Sequence, residues 1–262
     1  MHYGEKRWID IDTMNKDRVV VVCPIGSLEQ HGHHLPLLTD TYLVTEVAER
    51  VEEKLSDKVL LTPTLWLGAS DHHLDFPGTV SMPNSFYVGM VKNIVRSFVR
   101  HGFRRIVFLN GHGGNIAPGE VAITEMAHSN DDCDGTMVVF ANYWELAGDG
   151  FAPEKHGMQT PEVTHACEYE TSMMQAVRDD LVHVEDAVAG EPIIDTPFYH
   201  SEHGGRVSLA SRFHRLTPTG SMGHPEYATP QKGELLLSSA AEEVTAFIED
   251  FLTWTQPRVL KP

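Results

Sequence analysis

The sequence is short of cysteine, of positive charge and of long apolar runs. Three cysteines (Cys23, Cys133, Cys167) in 262 residues are too few and too scattered for a disulfide framework or a structural zinc knuckle. They fit a reducing cytoplasm. Lys and Arg number 20 against 37 Asp and Glu, a formal net charge of −17. So acidic a chain offers no Lys/Arg face to a phosphate backbone, and no nucleic-acid partner is expected. No stretch approaches about 18 uncharged apolar residues, so no membrane span is expected. The opening MHYGEKRWIDID has no apolar run of the kind a signal peptide needs. Nucleophile elbows (GxSxG), HExxH and GxGxxG are absent as well.

What the chain does have is sixteen histidines and a regular alternation of strand and helix patterns. RVVVVCP (18–24) is a β-branched run suited to a strand covered on both faces. Residues 40–55 carry Leu43, Val47, Val51 and Leu55 at helical spacing behind an N-cap Asp40. Further strands are expected over 58–67, with Pro63 in its middle, 104–110 and 136–143, and helices over 85–101, 115–128, 168–181 and 232–254. Residues 182–229 show no period, which in a compact protein marks a functional loop or lid. The length suits one α/β domain over 1–262, since such domains run to about 250 residues. Alternating strands and helices predict a three-layer α/β sandwich, a mainly parallel central sheet with helices on both faces. Ligands of such sheets gather at the carboxyl ends of the strands.

The segments after the expected strands carry the polar residues: GSLEQHGHHLPLLTD (26–40), GASDHHLDFPGT (68–79), NGHGGN (110–115), and YWELAGDG (143–150) followed by HACEYETS (165–172). Glu29 and His31 lie two apart, so in extended chain both face one side. Asp40 can bridge two cations, and His112 sits in a glycine loop able to aim its ring inward. Glu29, His31, Asp40 and His112 form a mixed N/O donor set that suits Zn, Mn or Fe. Two such divalent ions would hold a hydroxide between them. The bland alternatives are surface roles for His33 and His34, a capping His112, and an anion nest in NGHGGN. On a helix, His165 and Glu168 would share a face, whereas Glu168 and Glu170 would not, so at most one of these acids reaches the metals.

GSLEQHGHHLPLLTD, FPGT, NGHGGN and HACEYETS, in this order and at these spacings, resemble the creatininase (creatinine amidohydrolase) family. The likeness runs from about Val19 to the end and includes TGSMGHPEYATPQKGELLL (219–237). The NGHGGN and DFPGT forms are more similar to the formamide-deformylase and mycofactocin-peptidase branch than to creatininase itself. The resemblance implies a creatininase-like single domain, two divalent metal ions per chain, and hydrolysis of a C–N bond in a cyclic amide or formamide. It also implies a small-molecule substrate and a homo-oligomer, possibly a hexamer. By position, Glu29 and His112 would hold the first metal and His31 the second, with Asp40 bridging. His165 would protonate the leaving nitrogen. Ser70, His73 and Trp144 would contact substrate, and the backbone of Gly113 and Gly114 would steady the oxyanion. Gly114 stands where creatininases carry a metal-binding Glu, so the second metal would borrow Glu170 or Glu168 or be held more weakly, with Glu168 also a candidate to assist catalysis. A sugar- or inositol-derived substrate, and a non-catalytic metal-binding role, are the competing readings.

Overall fold

The computed structural model describes residues 1–128, 135–190, 194, 196, 198–199 and 206–255. In chain order they form α1 (Trp8–Thr13), β1 (Val20–Ile25), α2 (Thr39–Lys54), β2 (Val59–Leu61), α3 (Asn84–Arg100), β3 (Arg105–Asn110), α4 (Ile116–His128) and β4 (Met137–Asn142). The one-turn helices α5 (Tyr143–Leu146) and α6 (Pro153–His156) come next, then α7 (Glu168–Arg178) and α8 (Pro230–Thr253). Cys133 lies outside the described residues. Cys23 and Cys167 are free and buried. No helix among the described residues is long and apolar enough to cross a membrane.

The four strands make one parallel sheet in the order β2-β1-β3-β4. Alternation along β1 divides its side chains between two cores. Val20 and Val22 pack with Leu43 and Val47 of α2, Met173 of α7 and Leu237 of α8. Val21, Cys23 and Ile25 pack on the other side with Tyr87, Val91 and Val95 of α3 and Ala122 of α4. Both faces are therefore covered, which is why the strand reads as unbroken β-branched residues. The result is the three-layer α/β sandwich that the pattern predicts.

Two elements differ from expectation. β2 stops at Leu61, because Pro63 has no N–H for the ladder. The chain runs on to a lone bridge between Leu65 and Ile25. α2 starts one residue before Asp40, and its N-cap position is Leu38, so Asp40 is not the cap. Within 182–229 the described residues form short 3-10 turns at Val184–Asp186, Phe213–Arg215 and Pro225–Tyr227.

The carboxyl ends of β1, β3 and β4 are level, since Ile25 pairs with Asn110 and Asn110 with Asn142. Three buried amides stitch this edge together. Asn110 Nδ2 donates to Asn142 Oδ1 at 2.8 Å and to the His112 carbonyl at 2.7 Å. Asn115 Nδ2 donates to the Gly26 carbonyl and to Asn110 Oδ1, both at 3.1 Å, while its Oδ1 accepts from Ala69 N at 2.9 Å. One side chain thus ties together the loops after β1, β2 and β3. A second tether is His34, which is buried rather than a surface residue. Its Nε2 meets Thr171 Oγ1 of α7 at 2.8 Å. Burial, with His31 and His33 nearby, pulls its pKa from 6.5 down to about 4.

Replacing Asn115 by Ala orphans the Gly26 carbonyl and the Ala69 amide. Stability should fall by about 1–3 kcal/mol per orphaned group, read as a lower denaturation midpoint with unchanged slope; an unchanged midpoint refutes the tether. His34 is neutral when folded and protonates more readily when unfolded. Its contribution is therefore present above pH 6.5 and is lost as pH falls from 6.5 towards about 4. His34→Gln should flatten that acid limb in a plot of melting temperature against pH.

Candidate metal centre

Glu29 and His31, both fully buried, lie in the loop after β1. Asp40 projects from the first turn of α2, and its carboxylate turns inward. Oδ2 accepts from Ser27 Oγ at 2.7 Å and from His112 Nδ1 at 3.0 Å, and Oδ1 meets His31 Nε2 at 3.0 Å. His31 Nδ1 donates to the Glu29 carbonyl at 3.1 Å. His112 Nε2 faces Ser70 Oγ at 3.2 Å, the Ala69 carbonyl at 3.3 Å and Glu29 Oε2 at 3.3 Å. Each of these rings has its Nδ1 held by a carbonyl or carboxylate, which turns Nε2 into the cluster; ligating histidines are oriented in this way.

The electrostatics follow from burial beside charge. Burial opposes ionisation of Glu29, and His112 only partly offsets it, so the carboxyl is pushed up to about 7. Burial also opposes charge on His31, but Asp40, with Glu170 and Glu29 beyond, raises that ring to about 10. His112 rises to about 9 against its own burial through Glu29 and Asp40. The carboxylates thus draw positive charge onto both imidazoles. Even so, neither oxygen of Glu29 receives a hydrogen bond. Buried carboxylate oxygens rarely go without a partner, and a divalent cation satisfies them while displacing the protons. The donor set fits such a group: Glu29 lies with His112, and His31, Asp40 and Glu170 offer ligand atoms all within 4.8 Å of one another.

His165 is not on α7; it precedes the helix, whose N-cap is Cys167, and so shares no helical face with Glu168. Ala166 intervenes with φ 52°, a strained conformation for a residue with a Cβ. Its N–H donates to Glu170 Oε2 at 2.6 Å, so Glu170 holds the bend that aims His165. His165 Nε2 donates to the Gln30 carbonyl at 2.7 Å, and Nδ1 lies 3.7 Å from Glu29 Oε1. Gln30 was invisible in the pattern, yet it organises this side. Its Oε1 accepts from Gly32 N at 2.9 Å, and its Nε2 donates to His73 Nδ1 at 2.9 Å and to the Gly220 carbonyl at 3.1 Å. His73 therefore presents Nε2–H, 3.6 Å from Glu29 Oε1. Burial and neighbouring imidazoles hold His73 and His165 well below the usual histidine range, so both are neutral.

Glu168 does not join the cluster. It accepts from Gln159 N at 2.8 Å and Thr160 N at 2.7 Å and pairs with Lys232, contacts that outweigh burial and hold its pKa below the usual value. Two residues apart on α7, Glu168 and Glu170 differ in direction by about 200°, roughly half a turn.

Two cavities meet at the cluster. The larger, about 270 Å³, is lined by Glu29, His72, His73, His112, Gly113, Gly114 and His165, and roofed by Tyr199, Leu209, Ser211, Phe213 and Leu216. Phe213 stacks on His73 with centroids 4.1 Å apart. The smaller, about 30 Å³, is bounded by Asp40, His112, Gly113, Tyr143, Trp144, His165 and Glu170. It has room for an ion or a water. Trp144 thus borders the small void, whereas His73, Gly113 and Gly114 line the larger one; Ser70 is buried behind His112.

Comparison with known proteins bears on this edge of the sheet. The family model described as creatinine amidohydrolase matches residues 4–248. A creatinine amidohydrolase of Pseudomonas putida is 29% identical over 260 residues, 94% of this chain and 95% of its own. A 3-dehydro-scyllo-inosose hydrolase of Thermotoga maritima is 31% identical over 192 residues, 72% of this chain and 60% of its own. A mycofactocin precursor peptide peptidase of Mycolicibacterium smegmatis is 30% identical over 245 residues, 91% of this chain and 87% of its own. The crystal structure of a creatininase superposes with a TM-score of 0.78 at 28% identity, covering 97% of this chain and 98% of that one. A variant creatininase of Zn–Zn type superposes at 0.77, with 28% identity and coverage of 97% and 98%.

Proposed function

Because this chain belongs to the creatininase (creatinine amidohydrolase) family, we propose that it is a metal-dependent hydrolase that cleaves a C–N bond in a cyclic amide or formamide. The observation that carries this reading is the Glu29 carboxylate, fully buried, without a hydrogen-bond donor, and surrounded by imidazoles. Glu29 and His112 would hold one divalent ion, and His31 with Glu170 a second, with Asp40 between them. The pair would supply Lewis acidity towards a carbonyl oxygen and a water acidic enough to attack near neutral pH.

The chain's own groups divide the remaining work. Neutral His165, its Nε2–H committed to Gln30, has Nδ1 free to take a proton. It takes one as water adds to the carbonyl carbon and returns it to the departing nitrogen when the C–N bond breaks. The backbone N–H groups at Gly113 and Gly114, at the wall of the larger cavity, are placed to steady the developing oxyanion. Phe213, stacked on His73, offers a flat apolar face to a small ring and keeps water off it. The roughly 270 Å³ of this cavity suits a small molecule better than an extended peptide. The likeness to an inosose hydrolase favours a polyol-derived ring as the second reading, since at the cavity His73 Nε2–H could donate to its hydroxyls and His165 Nδ1 accept from them.

Metal analysis with a panel of cyclic amides, formamides and inositol-derived rings tests the proposal. His112→Ala should lose metal and lower turnover on the order of a thousandfold or more, with far-ultraviolet circular dichroism unchanged. Normal metal content at the wild-type rate would remove His112 from the centre. Tight metal without turnover across the panel would favour a binding protein.

A further inference from the structure

His72 has no part in the reading above, yet it reaches the same place. It sits on the 3-10 turn Asp71–His73, in the loop after β2. Its ring lies parallel to that of His112, with centroids 5.9 Å apart and planes 11° apart. It is set edge-on to His73 at 4.3 Å and to Phe213 at 6.2 Å. One ring nitrogen of His72, one of His112 and one carboxylate oxygen of Glu29 lie within 4.8 Å of one another. This group has no member in common with the His31, Asp40 and Glu170 group. The Glu29 oxygens at its centre are the ones that no donor satisfies.

Gly114 makes the approach possible. A Cβ there would fall 2.3 Å from the Ala69 carbonyl oxygen, 2.4 Å from His112 Nε2 and 2.8 Å from His72 Cε1. Any side chain at this position would push one ring or the other out of place. The glycine loop omits a side chain where two rings and a carboxylate converge, and the neighbouring loop fills the gap with an imidazole.

We propose that His72 is a protein ligand of the cation held by Glu29 and His112. The inference rests on the metal-dependent reading and refines it. The two positions then differ in kind. One has two imidazoles and a carboxylate, the other one imidazole and two carboxylates. Nitrogen-rich sets suit Zn and Co, whereas oxygen-rich sets accept Mn. The first position should therefore be the tighter one for Zn and Co.

The test uses metal-stripped full-length chain, titrated with Co(II) and with Zn(II) against a competing chelator. Wild type should take up two equivalents of unequal affinity. His72→Ala should weaken the tighter equivalent by about 10–100-fold or more and leave the other in place, whereas Glu170→Gln should weaken the other. His72→Cys loaded with Co(II) should gain a thiolate-to-cobalt charge-transfer band in the near ultraviolet that wild type lacks. His72 lies on a partly exposed turn, so circular dichroism of the stripped variants should match wild type. If His72→Ala keeps both affinities and changes only KM, His72 contacts substrate and the proposal is overturned. If wild type itself takes up no metal, the hydrolase reading falls, and this inference with it.

Discussion

Two carboxylates withdrawn from water beside one another must be given positive charge. Desolvation of an ion in a protein interior costs several kcal/mol, and a like charge nearby adds to it. Glu29 and Asp40 meet this demand unequally. Asp40 has His31, His112 and Ser27 on its two oxygens and is held well below the usual carboxylate range. Neither oxygen of Glu29 receives a hydrogen bond, though His112 Nε2 lies 3.3 Å away, and the carboxyl is pushed up to about 7, first by its burial. These carboxylates draw positive charge onto His31 and His112. Nearly everything else at this edge of the sheet holds that charge balance in shape. Gln30 fixes the hydrogen-bonding sense of His73, Asn115 clamps three loops, and the strained Ala166 turns His165 inward.

Much of the fold was readable because a parallel strand buried on both faces leaves an unmistakable run, as in Val20–Ile25, and because amphipathic spacing marks α2 and α8. The acidic and imidazole members of the cluster were readable for a related reason. Ionisable residues collected after every strand have few other purposes. The amides were not readable. Gln30, Asn110 and Asn115 carry no charge and follow no period, and their partners lie up to 190 residues away, as with Gln30 and Gly220. The one available signal was that NGHGGN begins and ends with Asn. The bend that carries His165 ahead of the helix is not readable either, because nothing in its neighbours' identities announces a left-handed Ala166. The choice between Glu168 and Glu170 was left open by spacing, and the difference lies in tertiary partners: Lys232 and two backbone amides occupy the first, while the second reaches His31 and Asp40.

The cluster also divides into a floor and a cover of different make. Floor and walls come from strand ends locked by amides, with the rings of five histidines in a chain of contacts. The cover comes from the irregular stretch around Phe213, whose small apolar group with Leu216 and Met222 stands apart from both main cores. A scaffold of this kind fixes the chemistry, while its cover selects what enters.

That arrangement has a bearing on how the molecule is made. Every carboxylate and imidazole of the floor has been synthesised by Glu170, but Phe213, Gly220 and Lys232 are still to come. The nascent chain therefore carries this cluster of carboxylates and imidazoles uncovered for tens of residues, until Phe213 arrives to roof it.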